Sequence, residues 1–245
     1  MSRRACCRSA LVVILLLVLW HRPTEAAIDI NVTPLPDLPT PVEGACVGSH
    51  GDAFLVAGGT SEGRLLSTVQ VLVANADAWV TADLDTPMSR GAAASTADGL
   101  VCVGGDGVSG PSARVVRLQW DGGALHTEVL PDLPRPFVDA SAVVLDGILY
   151  VTGGRISTSA EVDGDLLALT LGEPDASWQH LEDFPSPRLQ PTLVARAGAI
   201  YLLAGSGDNA QQNWSYRPVP FDGTIERGWV QVADAPLDLR FGVAL

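Results

Sequence analysis

One string of features recurs four times along this chain, at intervals of about fifty residues, and that recurrence restricts the architecture more than any single motif. The clearest copy runs from Leu130 to Asp183. It opens with Leu-Pro-Asp-Leu-Pro, continues through an apolar stretch at 141–145, turns at Asp146-Gly147 and runs through 148–152 into Gly153-Gly154. A third run at 165–171 precedes Trp178 and a closing Phe184-Pro185. Asp-Gly between two apolar runs is a hairpin signal, because both turn residues must adopt positive φ. Each copy therefore reads as four antiparallel strands, and the chain as an all-β protein.

The glycine pair returns as Gly58-Gly59, Gly104-Gly105 and Gly153-Gly154, with Ala204-Gly205 as a worn fourth copy, so the second glycines lie 46, 49 and 51 residues apart. Trp79, Trp178 and Trp229 follow their glycines by 20, 24 and 24 residues, whereas Trp120 of the second copy comes early. Tyr150 and Tyr201 hold one shared place before the glycines. These are the marks of kelch repeats, the blades of a β-propeller. Repeats are expected near 34–83, 84–129, 130–183 and 184–234, with a fifth beginning at 235. Residues that recur where the fold repeats are read as scaffold and not as chemistry.

Ahead of the repeats, Arg3, Arg4 and Arg8 lead into an apolar run from Ala10 to Trp20, then polar residues and Ala26-Ala27. That is the plan of a secretory signal peptide over residues 1–27, and eleven apolar residues are too few to span a bilayer. A periplasmic or secreted protein is expected, with no membrane attachment after signal cleavage. The chain carries 15 basic and 28 acidic residues; without 1–27 the balance is 11 against 27. Such a surface repels phosphate, so nucleic acid is excluded as a partner. All the basic residues are arginine, which removes Schiff-base chemistry and any lysine general base. Cys46 and Cys102 remain after the signal, each in an apolar run, and read as small buried thiols, a single bridge being the other option.

A blade keeps its two faces dry only against neighbouring blades. The run at 241–245 matches the opening of earlier copies, and 28–33 alternates like an outermost strand, so the sequence reads as a truncated form of a longer propeller of unknown oligomeric state.

In a four-stranded antiparallel blade, the connection after the second strand and the connection into the next blade share one rim. That rim gathers Thr60, Asp106, Arg155 and Asp208 with Glu43, Arg90, Arg135, Arg188 and Arg240. Arginines beside a few carboxylates suit a small acidic ligand, and the candidate binding residues are Arg90, Arg188, Arg135, Arg155 and Asp208. Arg90 and Arg188 each lie three residues after a repeat proline, which marks them as equivalent. His50, His126 and His180 fall in different blades without metal-ligand spacing, and no serine elbow is present, so no metal site is expected.

Leu-Pro-Asp-Leu-Pro-Arg-Pro-Phe-Val at 130–138, Asp146-Gly-Ile-Leu-Tyr-Val-Thr-Gly-Gly154 and Phe184-Pro-Ser-Pro-Arg188 resemble the kelch-type N-acetylneuraminate epimerases, or sialic acid mutarotases. Residues 35–129 look like the last blades of that family and 130–245 like its first, as in its cyclically permuted branch. The resemblance implies a periplasmic six-bladed propeller that interconverts the anomers of an acidic sugar without a cofactor. It implies a glutamate base in an Asn-Gly-Glu segment with an arginine six residues on, and neither has a counterpart here; Gly172-Glu173 falls on the opposite rim. Arg90 and Arg188 match arginines near repeat openings in the family. The chain as it stands is expected to lack the reaction, and the other reading is a non-catalytic kelch module that binds a protein or glycan.

Overall fold

The computed structural model describes residues 32–156, 162–218 and 228–234. The first blade comprises β1 (Cys46–His50), β2 (Ala53–Ala57), a short rim hairpin of β3 (Thr60–Ser61) and β4 (Arg64–Leu65), then β5 (Thr68–Val73) and β6 (Val80–Asp83). The second follows with β7 (Ala92–Thr96), β8 (Gly99–Val103), the hairpin β9 (Asp106–Gly107) and β10 (Gly110–Pro111), β11 (Val115–Trp120) and β12 (Leu125–Leu130). The third has β13 (Ser141–Leu145), β14 (Ile148–Thr152), β15 (Leu166–Thr170) and β16 (Gln179–His180). The fourth has β17 (Thr192–Arg196), β18 (Ala199–Leu203), β19 (Trp214–Arg217) and β20 (Gly228–Gln231). Each blade is an antiparallel meander in chain order, and the first strands β1, β7, β13 and β17 pack one upon the next.

The cores lie between blades, as strand alternation requires. Leu55, Val69 and Val71 of the first blade meet Leu100, Val116 and Leu118 of the second. Val101, Val103 and Val115 on the other face of the second blade meet Leu149, Val151 and Leu169 of the third. Tyr150 and Leu166 then meet Ile200 and Tyr216 of the fourth. The first blade's outward flank leaves Val47 and Phe54 more than two-fifths exposed.

The repeated tryptophans are scaffold by a specific device. The indole N–H of Trp79, Trp178 and Trp229 donates to the carbonyl of Pro36, Pro131 and Glu182 at 2.9, 2.9 and 3.2 Å, tying each outer strand to the chain that leads into its own blade. Trp120 sits instead in β11, where its indole N–H is buried and unpartnered.

The glycine pair works across the blade boundary. The first N–H closes on its own blade (Gly58 to the carbonyl of Thr68, Gly104 to that of Arg114), while the second reaches the next blade: Gly59 to Met88, Gly105 to Phe137 and Gly154 to Arg188, at 2.7, 2.7 and 3.1 Å. At Gly105 (φ +91°) an added Cβ would stand 2.4 Å from the carbonyl oxygen of Ser89.

The reading of the cysteines as thiols is corrected. Cys46 of β1 and Cys102 of β8 form a disulfide, with Cα atoms 6.0 Å apart. Both side chains point into the same interblade core from opposite sheets, so a pair that is 56 residues apart in sequence becomes a contact pair across the joint. Closing a loop of that length restricts the unfolded chain by about 4 kcal/mol in the chain-entropy account. Replacing both cysteines by alanine is expected to lower unfolding stability by about 2–4 kcal/mol, read by urea denaturation of oxidised protein. Gly105→Ala, in an intact disulfide background, should cost about 2 kcal/mol or more by the same measurement, since backbone and not a side chain blocks the new methyl.

Candidate functional site

Where the chain enters each blade it makes the same two-residue step on the loop-bearing rim. Glu43, Ser89, Val138 and Leu189 bridge to Thr60, Asp106, Arg155 and Ser206, the residues that follow the glycine pairs. The residues after them, Gly44, Arg90, Asp139 and Gln190, all take the left-handed conformation, with φ of 64°, 56°, 59° and 47°. Their backbones then join blade to blade: Arg90 N–H donates to Gly44, Asp139 N–H to Arg90 and Gln190 N–H to Asp139, at 2.6, 3.0 and 2.8 Å. Left-handed backbone is costly for residues other than glycine, so three such residues in equivalent places form an over-determined belt around the inner rim.

The side chains of this belt converge. Asp139, 8% exposed, accepts from Arg90 Nε (3.1 Å) and Nη2 (3.0 Å) and from Gln190 Nε2 (3.1 Å), and Arg155 Nη2 stands 3.3 Å away. Arg90 Nη1 reaches Asp106 at 3.2 Å. Both carboxylates are thus held by guanidinium groups, while the buried Nε of Arg155 has no hydrogen-bond partner. Two guanidinium groups face two carboxylates, with every nitrogen of Arg90 engaged and the Arg155 side chain 27% exposed. Thr60 lies beside it, its hydroxyl on that of Ser89 at 3.0 Å. Asp208 is exposed on the corresponding loop of the fourth blade, where its backbone carbonyl accepts from Ser186 Oγ at 3.5 Å.

Arg188 does not belong to this group, and its expected equivalence with Arg90 is corrected. The glycine-pair bonds place Arg188 with Met88 and Phe137, two residues before the belt position. Its counterparts are apolar plugs, and Arg188 is a plug too, fully buried. It donates through Nε to the carbonyl of Ser186, through Nη1 to those of Ala204, Ala210 and Gln212, and through Nη2 to that of Asn209 and to Ser186 Oγ, all at 2.9–3.2 Å. Its guanidinium also lies 5.1 Å from the Phe184 ring centre. Burial lowers its pKa to about 10, which leaves it charged at neutral pH and with no donor to offer a ligand.

Arg135 forms a separate cluster further out. It bonds Asp163 at 2.6 Å and also Asp165, and stacks 5.4 Å over Phe137. Glu43 is exposed, whereas Ser89 and Val138 at its repeat position are buried. Arg240 lies outside the described residues. His180 stands 3.1 Å from Asp165 and 3.0 Å from Asp183, a grouping that sequence spacing did not show. Three such ligands could hold a cation, but the Arg135 guanidinium already occupies Asp165.

Asp139 and Gln190 are the belt residues that motif reading passed over. Aligning each blade on its second glycine, and not on the prolines, brings both into register with Arg90.

No protein-family model matches the chain. The kelch-like protein terF of Aspergillus terreus is 34% identical over 134 residues, 52% of this chain and 29% of that protein. The N-acetylneuraminate epimerase of Yersinia enterocolitica is 30% identical over 93 residues, 38% of this chain and 22% of the relative. The matched segments therefore span less than a third of either curated relative. The solved structure of YjhT superposes with a TM-score of 0.64 at 15% identity, over 82% of this chain and 68% of that one, a likeness of fold.

Arg188→Met should cost about 3 kcal/mol or more of stability in denaturant unfolding, because five backbone carbonyls, those of Ala204 and Ala210 in buried residues, lose their donor; a loss under 1 kcal/mol would show that the loop does not depend on it. The chain has the fold of a kelch-type β-propeller, with four four-stranded blades among its described residues.

Proposed function

We propose that the inner rim binds a small acidic sugar, N-acetylneuraminate or a close relative, in the manner of a cofactor-free sugar mutarotase, and that this chain binds without turning the sugar over. The observation that carries the reading is the belt cluster. Arg90 and Arg155 converge on one rim, their side chains 36% and 27% exposed, and a sugar carboxylate is the anion that a planar guanidinium matches. Anomer exchange opens and recloses a ring, so it also needs a group that moves the anomeric hydroxyl proton. Asp106 and Asp139 are tied to arginines, so the belt supplies no such base. The similarity to an N-acetylneuraminate epimerase supports the substrate class. Export to an oxidising compartment, as the leader of 1–27 implies, is supported by the Cys46–Cys102 bridge.

The second reading is a kelch module that presents this rim to a protein or glycan. It is favoured by the commitment of both belt carboxylates and by the similarity to a kelch-like protein.

Ligand-observed NMR with N-acetylneuraminate should show saturable binding that weakens about tenfold in Arg155→Gln, while the anomer exchange rate stays at its buffer value. Absence of saturable binding by folded wild-type protein would overturn the acidic-sugar reading and turn the search to protein and glycan ligands. Accelerated exchange would overturn the claim that turnover is missing.

A further inference from the structure

A cavity of about 320 Å³ opens between the first and second blades, under the β9–β10 hairpin. Its floor is apolar, formed by Leu84, Pro87, Met88 and Val116, and Arg114 stands on its wall. The neighbouring blades show what this place normally contains. Alignment on the glycine pairs matches Thr86 and Met88 of the second blade with Arg135 and Phe137 of the third and with Ser186 and Arg188 of the fourth. In the third blade the Arg135 guanidinium lies over the Phe137 ring and is clasped by Asp163 and Asp165. In the fourth, Arg188 fills the space with its own guanidinium and caps the loop around it. The second blade puts a threonine and a methionine there, and the volume is left open.

The charge at the site is also left over. The residue just before the third strand is Asp165 in the third blade and Arg114 in the second, as the strand registers show. Asp165 is neutralised by Arg135 from the facing loop. Among the described residues the Arg114 guanidinium donates only to the Thr86 hydroxyl and stands 3.7 Å from Asp85, whose side chain is 81% exposed. An ion pair that wet and that long contributes little. Asp106, on the far side, is already held by Arg90.

We propose that this crevice is a second binding site, distinct from the belt, for a small carboxylate with an apolar body: the anion completes the pairing of Arg114, and the body takes the place that Phe137 and Arg188 fill in the next two blades. The pocket is within the size range of small-molecule sites, with an apolar lining and one charged anchor. A cationic ligand would face Arg114, and a neutral one would gain only the floor.

The test uses hexanoate, hexanol and hexylamine as probes, with binding read by calorimetry and ligand-observed NMR. Hexanoate should bind saturably, and hexanol and hexylamine about tenfold more weakly or worse. Arg114→Gln should reduce hexanoate binding to the level of hexanol. Met88→Phe, which fills the cavity as the third blade does, should abolish it with no loss in melting temperature. Arg155→Gln should leave it unchanged, which separates this site from the acidic-sugar reading of the belt. Equal binding of hexanoate and hexanol, undiminished binding by folded Met88→Phe, or no binding to wild type would each overturn the proposal.

Discussion

Every blade in this protein hangs on backbone hydrogen bonds that leave it for its neighbour. Gly59, Gly105 and Gly154 each donate to the plug residue of the next blade, and the belt residue of that next blade donates back to the belt residue behind it. These bonds fix where one sheet stands relative to the next, which apolar packing alone does not, because burial is non-directional. The rest follows from that registration. The interblade cores align, Cys46 comes opposite Cys102, and Arg90, Asp139 and Gln190 come to rest at one level of the inner rim.

The belt explains how a scaffold with strict repeats can carry a site without repeats. The backbone conformation at the belt position is the same in all four blades, yet the side chains there are glycine, arginine, aspartate and glutamine. What repeats is the conformation and its hydrogen bonds; what varies is the group presented. The plug position behaves likewise, with methionine, phenylalanine and arginine in the second, third and fourth blades, and its variation sets how far the space beneath a rim loop is filled from within.

Much of the fold could be read from the sequence: glycine pairs end the second strand of three blades, Asp146-Gly147 takes positive φ at both residues as its turn requires, and Trp79, Trp178 and Trp229 repeat one bond. The site was legible only in part. Arg90, Arg155 and Asp106 could be assigned to one rim by strand parity, and they do meet there. Arg188 was misplaced because two prolines, Pro185 and Pro187, flank Ser186, and counting from the first shifts the register by two residues. Asp139 and Gln190 differ in residue type from Arg90, so residue type does not mark them; a constant 15-residue spacing to the second glycine and the left-handed backbone do. The disulfide was hidden because hydrophobic pattern tells which residues are inside but not which inside residues face one another across a joint.

The loop around Arg188 has an unusual grammar. It is held by its carbonyl oxygens, which every amino acid possesses, and hardly at all by the identity of its side chains. The residues at 207–209 project outward from a turn whose shape is dictated from beneath by a single cation. A segment anchored in that way can change its side chain at Asp208 without losing its form, whereas Gly207 (φ +154°) and Asn209 (φ +58°) hold backbone that restricts their replacement.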